Sequence, residues 1–96
     1  GMIAEYERAS AIRPEYAEAH YNLGVAYRKK KLLDKSIAAL KQAVAINPAY
    51  AKAHYHLAIA YYYNKQYREA LIHCKRAIEL GGTVDPKLLE LLQPYG

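Results

Sequence analysis

Apolar and small residues recur along this chain at spacings of three and four, and the same stripe is written twice. His20, Leu23, Gly24 and Tyr27 stand at i, i+3, i+4 and i+7, and His54, Leu57, Ala58 and Tyr61 repeat the series 34 residues later. That spacing paints one face of an α-helix, where a half-buried strand would alternate. A polar break follows each stripe, at Lys29-Lys30-Lys31 and at Asn64-Lys65-Gln66. Helical spacing then resumes with Leu33, Ser36, Ile37, Leu40, Ala43 and Val44, and again with Tyr67, Ala70, Leu71, Cys74, Ala77 and Ile78. Each unit therefore predicts two helices joined by a short turn. Gly24, Ala58, Ala43 and Ala77 are small where paired helices must approach closely, because interaxial distance depends on the side chains at the contact; bulk at Gly24 is expected to force its pair apart. Asn47-Pro48 and Pro14 punctuate the next helix starts, since the residue before a proline is pushed out of the helical region and proline itself suits a first turn.

Laying residues 17–50 over 51–84 returns identities at Ala17/Ala51, Ala19/Ala53, His20/His54, Tyr21/Tyr55, Leu23/Leu57, Ala26/Ala60, Tyr27/Tyr61, Lys31/Lys65, Lys41/Lys75 and Ala43/Ala77, with Pro14 and Pro48 at the same separation. A fixed period of this size marks a stacked-hairpin solenoid, in which no single repeat buries its apolar face alone. The fold class expected is all-α.

The residues at these positions identify the chain as similar to the tetratricopeptide repeats. Their pattern of aromatic, Leu, Gly/Ala, Tyr, then Ala, aromatic, Ala, Pro is met by His20, Leu23, Gly24, Tyr27, Ser36, Leu40, Ala43 and Pro48, and again by His54, Leu57, Ala58, Tyr61, Ala70, Cys74, Ala77 and Gly82. Departures are His for the usual aromatic, Lys31 and Lys65 where the turn usually carries Gly, and Gly82 for Pro; they question turn geometry, not fold. The resemblance implies a right-handed superhelix of about two and a half repeats plus a C-terminal capping helix. Residues 2–16 (Met2, Tyr6, Ala9, Pro14) match only the second helix of a partial repeat, 17–50 and 51–84 are full repeats, and 85–94 is the cap. The unpaired first helix is expected to leave Ile3 and Tyr6 exposed, and an exposed apolar face usually means a contact; either the natural chain continues upstream or another protomer covers it by self-association. Gly1 ahead of Met2 reads as a remnant of cleavage. At the other end, Gly81-Gly82 stops a helix, Asp85 is a fitting N-cap with Pro86 at N1, and Leu88, Leu91 and Leu92 form a stripe ended by Pro94.

Composition narrows the function classes. The 96 residues are 53% apolar and 24% charged, the profile of one folded domain. With Cys74 alone, neither a disulfide framework nor a cysteine-based zinc site can form within one chain. No apolar run approaches the roughly 20 residues of a membrane span. The net charge of +5 favours acidic partners without choosing among peptides, nucleic acid and anionic lipid.

The family's groove positions, carried onto this sequence, are Glu18, Tyr21, Asn22, Val25, Arg28 and Lys29 from one first helix and Lys52, Tyr55, His56, Ile59, Tyr62 and Tyr63 from the next. Four tyrosines beside three cations supply stiff aromatic area, hydroxyls and charge, suited to an acidic peptide or partner helix. The blander alternative has the tyrosines covering hairpin neighbours. The carboxylate clamp found in similar proteins is incomplete: Asn22 and Lys52 match, His56 stands where an Arg is expected, and the preceding first helix has no counterpart. The run Arg28-Lys29-Lys30-Lys31, with Lys35 nearby, offers the alternative of a nucleic-acid or anionic-surface binder, but cations at a helix C-terminus are also what the macrodipole favours. Neither catalysis nor a metal or cofactor is expected. His54 and His56, and His73 and Cys74, diverge around their helices, and no glycine-rich phosphate loop occurs.

Overall fold

The computed structural model describes residues 2–96; Gly1, expected to be a cleavage remnant, lies outside the described residues. The chain runs α1 (Met2–Ile12), α2 (Ala17–Lys29), α3 (Leu33–Ile46), α4 (Ala51–Tyr63), α5 (Tyr67–Glu79) and α6 (Pro86–Leu92), then a 3₁₀ turn (Gln93–Tyr95), with no strand among the described residues. α2 with α3 and α4 with α5 form the two hairpins, and α3 packs on α4 to join them. The body is elongated, 40 × 25 × 17 Å.

The hairpin turns show how the lysines replace glycine. Lys31 and Lys65 both adopt φ 64°, and Gly81 does the same job after α5 at φ 85°. In each turn two amides reach back to the last carbonyls of the helix: Lys31 N–H to Arg28 O (2.8 Å) and Leu32 N–H to Tyr27 O (2.9 Å), repeated as Lys65 N–H to Tyr62 O and Gln66 N–H to Tyr61 O. This paired bonding stops a helix cleanly when the residue after the cap is left-handed, so the turn geometry is kept at the cost of a strained lysine backbone.

The core is built from small-against-large pairs. A Cβ on Gly24 would lie 2.5 Å from Leu40 Cγ, so α3 approaches α2 through the space a side chain would fill. The same approach lets the fully buried Ser36 donate its hydroxyl to Gly24 O at 2.7 Å. One period later Ala58 and Cys74 occupy the equivalent places, both fully buried with Leu57, Ala70 and Leu71. His20 and His54 each bond a carbonyl of the preceding turn through Nε2, Pro14 O and Pro48 O respectively, both at 2.9 Å. That contact explains how a histidine serves where the pattern has an aromatic: it fills space and ties each helix start to the turn before it.

Four expectations are corrected. Pro14 and Pro48 lie in turns before α2 and α4 rather than in their first turns; Tyr16 and Tyr50 are the cap residues, without side-chain caps. Ile3 and Tyr6 are half-buried against Leu23, Tyr27 and Ala39, because α1 turns that face onto α2; Met2 (64% exposed) and Ile12 (70%) are the exposed ones. Ile78 closes the expected stripe of α5 but is 43% exposed. In α6, Asp85 caps as expected, its carboxylate accepting from Lys87 N–H at 3.0 Å, but Leu91 is 56% exposed while Leu88 and Leu92 are buried and Leu89 is half-buried. α6 packs on α5 and the terminal turn, and its Leu88 and Leu92 join the core cluster while Leu91 turns away from it.

Candidate functional site

The first helices α2 and α4 carry all the expected groove residues, and the fold leaves every one of them half-buried or exposed. Their side chains fall into three groups. Tyr21, Asn22, Val25 and Lys29 line a groove of about 560 Å³ that Met2, Ile3 and Tyr6 of α1 complete. Arg28 and Lys29, with Lys31, Leu33 and the 61% exposed Tyr63, line a second recess of about 540 Å³. Apart from Glu18, exposed at the start of α2, the remainder lie along α4: Tyr55, Ile59 and Tyr62 are partly buried and pack on the core, Lys52 is exposed and His56 half-buried.

An aromatic chain links the helices. Tyr21 lies 5.1 Å from Tyr50 and edge-on to His56 (5.4 Å, 77°), and His56 neighbours Tyr55 at 5.7 Å. Further along, Tyr62 meets Tyr63 and Tyr67, and Tyr67 stacks on Tyr95 at 4.8 Å. Tyr55 also accepts the Asp85 N–H at 3.3 Å through its hydroxyl, which ties the start of α6 to α4.

The electrostatics of this face are lopsided. Among the described residues the one ion pair is Arg76–Glu79 at 3.3 Å, away from the groove, so Arg28, Lys29 and Lys52 have no carboxylate partner there. Burial, reinforced by the charges of Arg28, Lys29 and Lys52, pushes the His56 imidazole down to about 4. His56 Nδ1 and Arg28 Nε are buried with no hydrogen-bond partner. Burial raises the Tyr21 phenol against the opposing effect of Arg28. The arrangement can supply cationic donors and aromatic faces to an acceptor; among the described residues no cluster of three His, Cys, Asp or Glu side chains converges to ligate a metal.

Sequence reasoning missed a histidine pair behind this face. His54 Nδ1 and His73 Nδ1 are 3.0 Å apart, and the His73 ring stacks with both His54 and Tyr61. Because His54 Nε2–H donates to Pro48 O, its Nδ1 in the neutral ring accepts, and His73 Nδ1–H donates. Burial, with lesser contributions from His54 and Lys41, holds His73 down to about 4. The signal lay in the repeat: Ala39 stands one period before His73, so the first hairpin has no partner for His20 on α3.

The repeat seen in sequence and fold agrees with the comparisons. The family profile described as "TPR repeat" matches residues 3–31 and 26–65, and that described as "Tetratricopeptide repeat" matches 51–81. The chain belongs to the tetratricopeptide repeat family. No match was found among curated protein sequences. Among solved structures, this tetratricopeptide repeat chain is similar to the crystal structure of MamA, at 32% identity and TM-score 0.77, over 82% of this chain and 46% of that one. It thus spans less than half of MamA. The Sgt2 TPR domain from Aspergillus fumigatus shares the fold at 24% identity and TM-score 0.87, over 96% of this chain and 64% of that domain. The first TPR of Spaghetti (RPAP3), bound to the HSP90 peptide SRMEEVD, does so at 22% identity and TM-score 0.86, over 97% and 73%.

Proposed function

We propose that this tetratricopeptide repeat chain is a non-catalytic protein-interaction scaffold that holds an acidic peptide or partner helix against α2 and α4. The observation that carries this reading is the set of groove cations, Arg28, Lys29 and Lys52, left without carboxylate partners beside Tyr21, Tyr55 and His56. Charge-assisted bonds to a carboxylate are roughly twice as strong as neutral ones, and tyrosine offers contact area at low entropic cost. Two structures with this fold support it, the first TPR of Spaghetti with its bound peptide and YrrB, a TPR protein with an unusual peptide-binding site. The basic-surface alternative is weaker. Of its run, Arg28 and Lys29 close α2, where the helix dipole favours cations.

The test is a calorimetric titration of a short glutamate-rich peptide against the chain and against Lys52→Glu, an exposed position whose change leaves the core alone. The expected result is at least a roughly tenfold loss of affinity for the variant, about 1.4 kcal/mol. Equal affinities refute the role of the groove. Tight, steeply salt-dependent binding to arbitrary oligonucleotides would favour the basic-surface alternative instead.

A further inference from the structure

His56 occupies an unusual place in the groove. Its ring stands edge-on to Tyr21 of α2 and beside Tyr55 of α4, with Tyr50 of the α3–α4 connection set against Tyr21. Positive charge reaches it from two helices, through Arg28 and Lys29 on α2 and Lys52 on α4. Glu18 is the carboxylate of this region, and it acts on Tyr50. The imidazole Nδ1 and the neighbouring guanidinium Nε are both buried without a partner, an arrangement that costs free energy.

We propose that the groove takes up an anionic ligand together with a proton on His56, so that a carboxylate-bearing peptide is held more tightly in mildly acidic solution than at neutral pH. The proposal rests on the groove being the site for an acidic ligand.

The physical argument runs through what keeps His56 neutral in the free chain. Burial and three cations hold its imidazole down to about 4. A carboxylate seated among Arg28, Lys29 and Lys52 opposes the cations and supplies an acceptor for an imidazolium N–H, which favours the charged form while burial stays in place. In the complex the group moves back toward its ordinary value near 6.5. Between the free and bound values the complex binds the proton more tightly than the free chain does, and by reciprocity the protonated chain binds the ligand more tightly. The sign is therefore fixed: affinity rises as pH falls through this window, by up to about tenfold per pH unit. Above about pH 7 His56 is neutral in both states and the linkage vanishes. Protonation of the peptide's own carboxylates acts in the opposite direction, so the sign of the slope separates the two effects.

The experiment uses the whole chain and a glutamate-rich peptide with a free carboxy terminus. Affinity is measured by calorimetry at about pH 7.5 and about pH 5, in buffers of different ionisation enthalpy so that proton uptake is read directly, while the His56 ring resonances are followed by NMR with and without peptide. The expected result is a gain of about tenfold or more at the lower pH, uptake of a fraction of a proton near pH 6, and an upward shift of the His56 titration while His20, His54 and His73 serve as internal references. In His56→Gln the ratio of the affinities at about pH 5 and about pH 7.5 is expected to lose the gain, whatever affinity the variant keeps at neutral pH. A flat or falling affinity, with His56 titrating at the same pH in both states, overturns the proposal and leaves the peptide scaffold standing. Absence of binding at either pH overturns both.

Discussion

The pair Gly24–Leu40 allows a quantitative test of how the hairpins are packed. An added Cβ at position 24 would meet Leu40 Cγ at 2.5 Å, Cδ2 at 2.8 Å and Cδ1 at 3.3 Å, and Leu40 is fully buried, with no route to swing into solvent. Overpacking of this kind costs about 1–3 kcal/mol, while replacing glycine inside a helix returns about 1 kcal/mol of propensity. Gly24→Ala is therefore expected to destabilise by up to about 2 kcal/mol. Leu40→Cys alone opens a cavity and is expected to cost about 2–3 kcal/mol, within the range for truncating a buried leucine. The second repeat already places Ala58 and Cys74 at the equivalent positions, so Gly24→Ala with Leu40→Cys rebuilds a pair this fold accepts. The double variant should be more stable than the sum of its single changes by at least about 1 kcal/mol, the coupling expected of residues in contact. Thermal unfolding followed by circular dichroism in reducing buffer reads this as a recovery of several degrees, since 1 kcal/mol moves Tm by about 4–8 °C in a domain of this size. Additivity within about 0.5 kcal/mol would refute the claim that Leu40 fills the space left by Gly24.

Two further outcomes follow from the turns and the histidines. Lys31→Gly and Lys65→Gly should each stabilise by about 0.5–1 kcal/mol, because relief of a left-handed lysine outweighs the extra unfolded-chain entropy of glycine; Lys31→Ala, which keeps the Cβ, should not, and equal unfolding midpoints for Gly and Ala variants would sink the argument. His73 and His56, both held down to about 4, are expected to make stability pH-dependent. Each folded-state value lies below the unfolded one, so the unfolded chain binds the extra proton; stability is complete above about pH 6.5 and falls as pH drops toward about 4. The loss should be on the order of 1–2 kcal/mol per histidine after allowing for partial exposure. His73→Gln should flatten the urea-midpoint profile between pH 7 and pH 4.5, and an unchanged slope would exclude the pair as its cause.

Much of the architecture was legible because it rests on local spacing repeated at a fixed period. Leu23, Gly24 and Tyr27, and their counterparts Leu57, Ala58 and Tyr61, announce their burial by phase alone, and Asp85-Pro86 announces a helix start by its chemistry. The errors fall where a side chain's surroundings are set by another element. Leu91 has the phase of a buried residue, yet nothing packs on that side of α6 among the described residues. Ile3 and Tyr6 sit on a helix with no hairpin partner in the sequence, and their face is covered instead by α2. The bond from His73 to His54 depends on the antiparallel register of α5 against α4, which neither helix states by itself. The helices that carry the expected groove residues could be placed from the repeat positions, but the two recesses beside them and the contribution of Met2, Ile3 and Tyr6 depend on how the helices lie across one another.

The distribution of burial along the helices has a dynamic consequence. α4 contributes six buried residues, α1 none and α6 two, so opening fluctuations should begin at the two ends and reach α4 last. Amide exchange would then be slowest in the helix that carries Lys52, Tyr55, His56, Ile59 and Tyr62. A ligand seated on α4 would meet a surface already ordered, and little of its binding free energy would be spent on stiffening the chain.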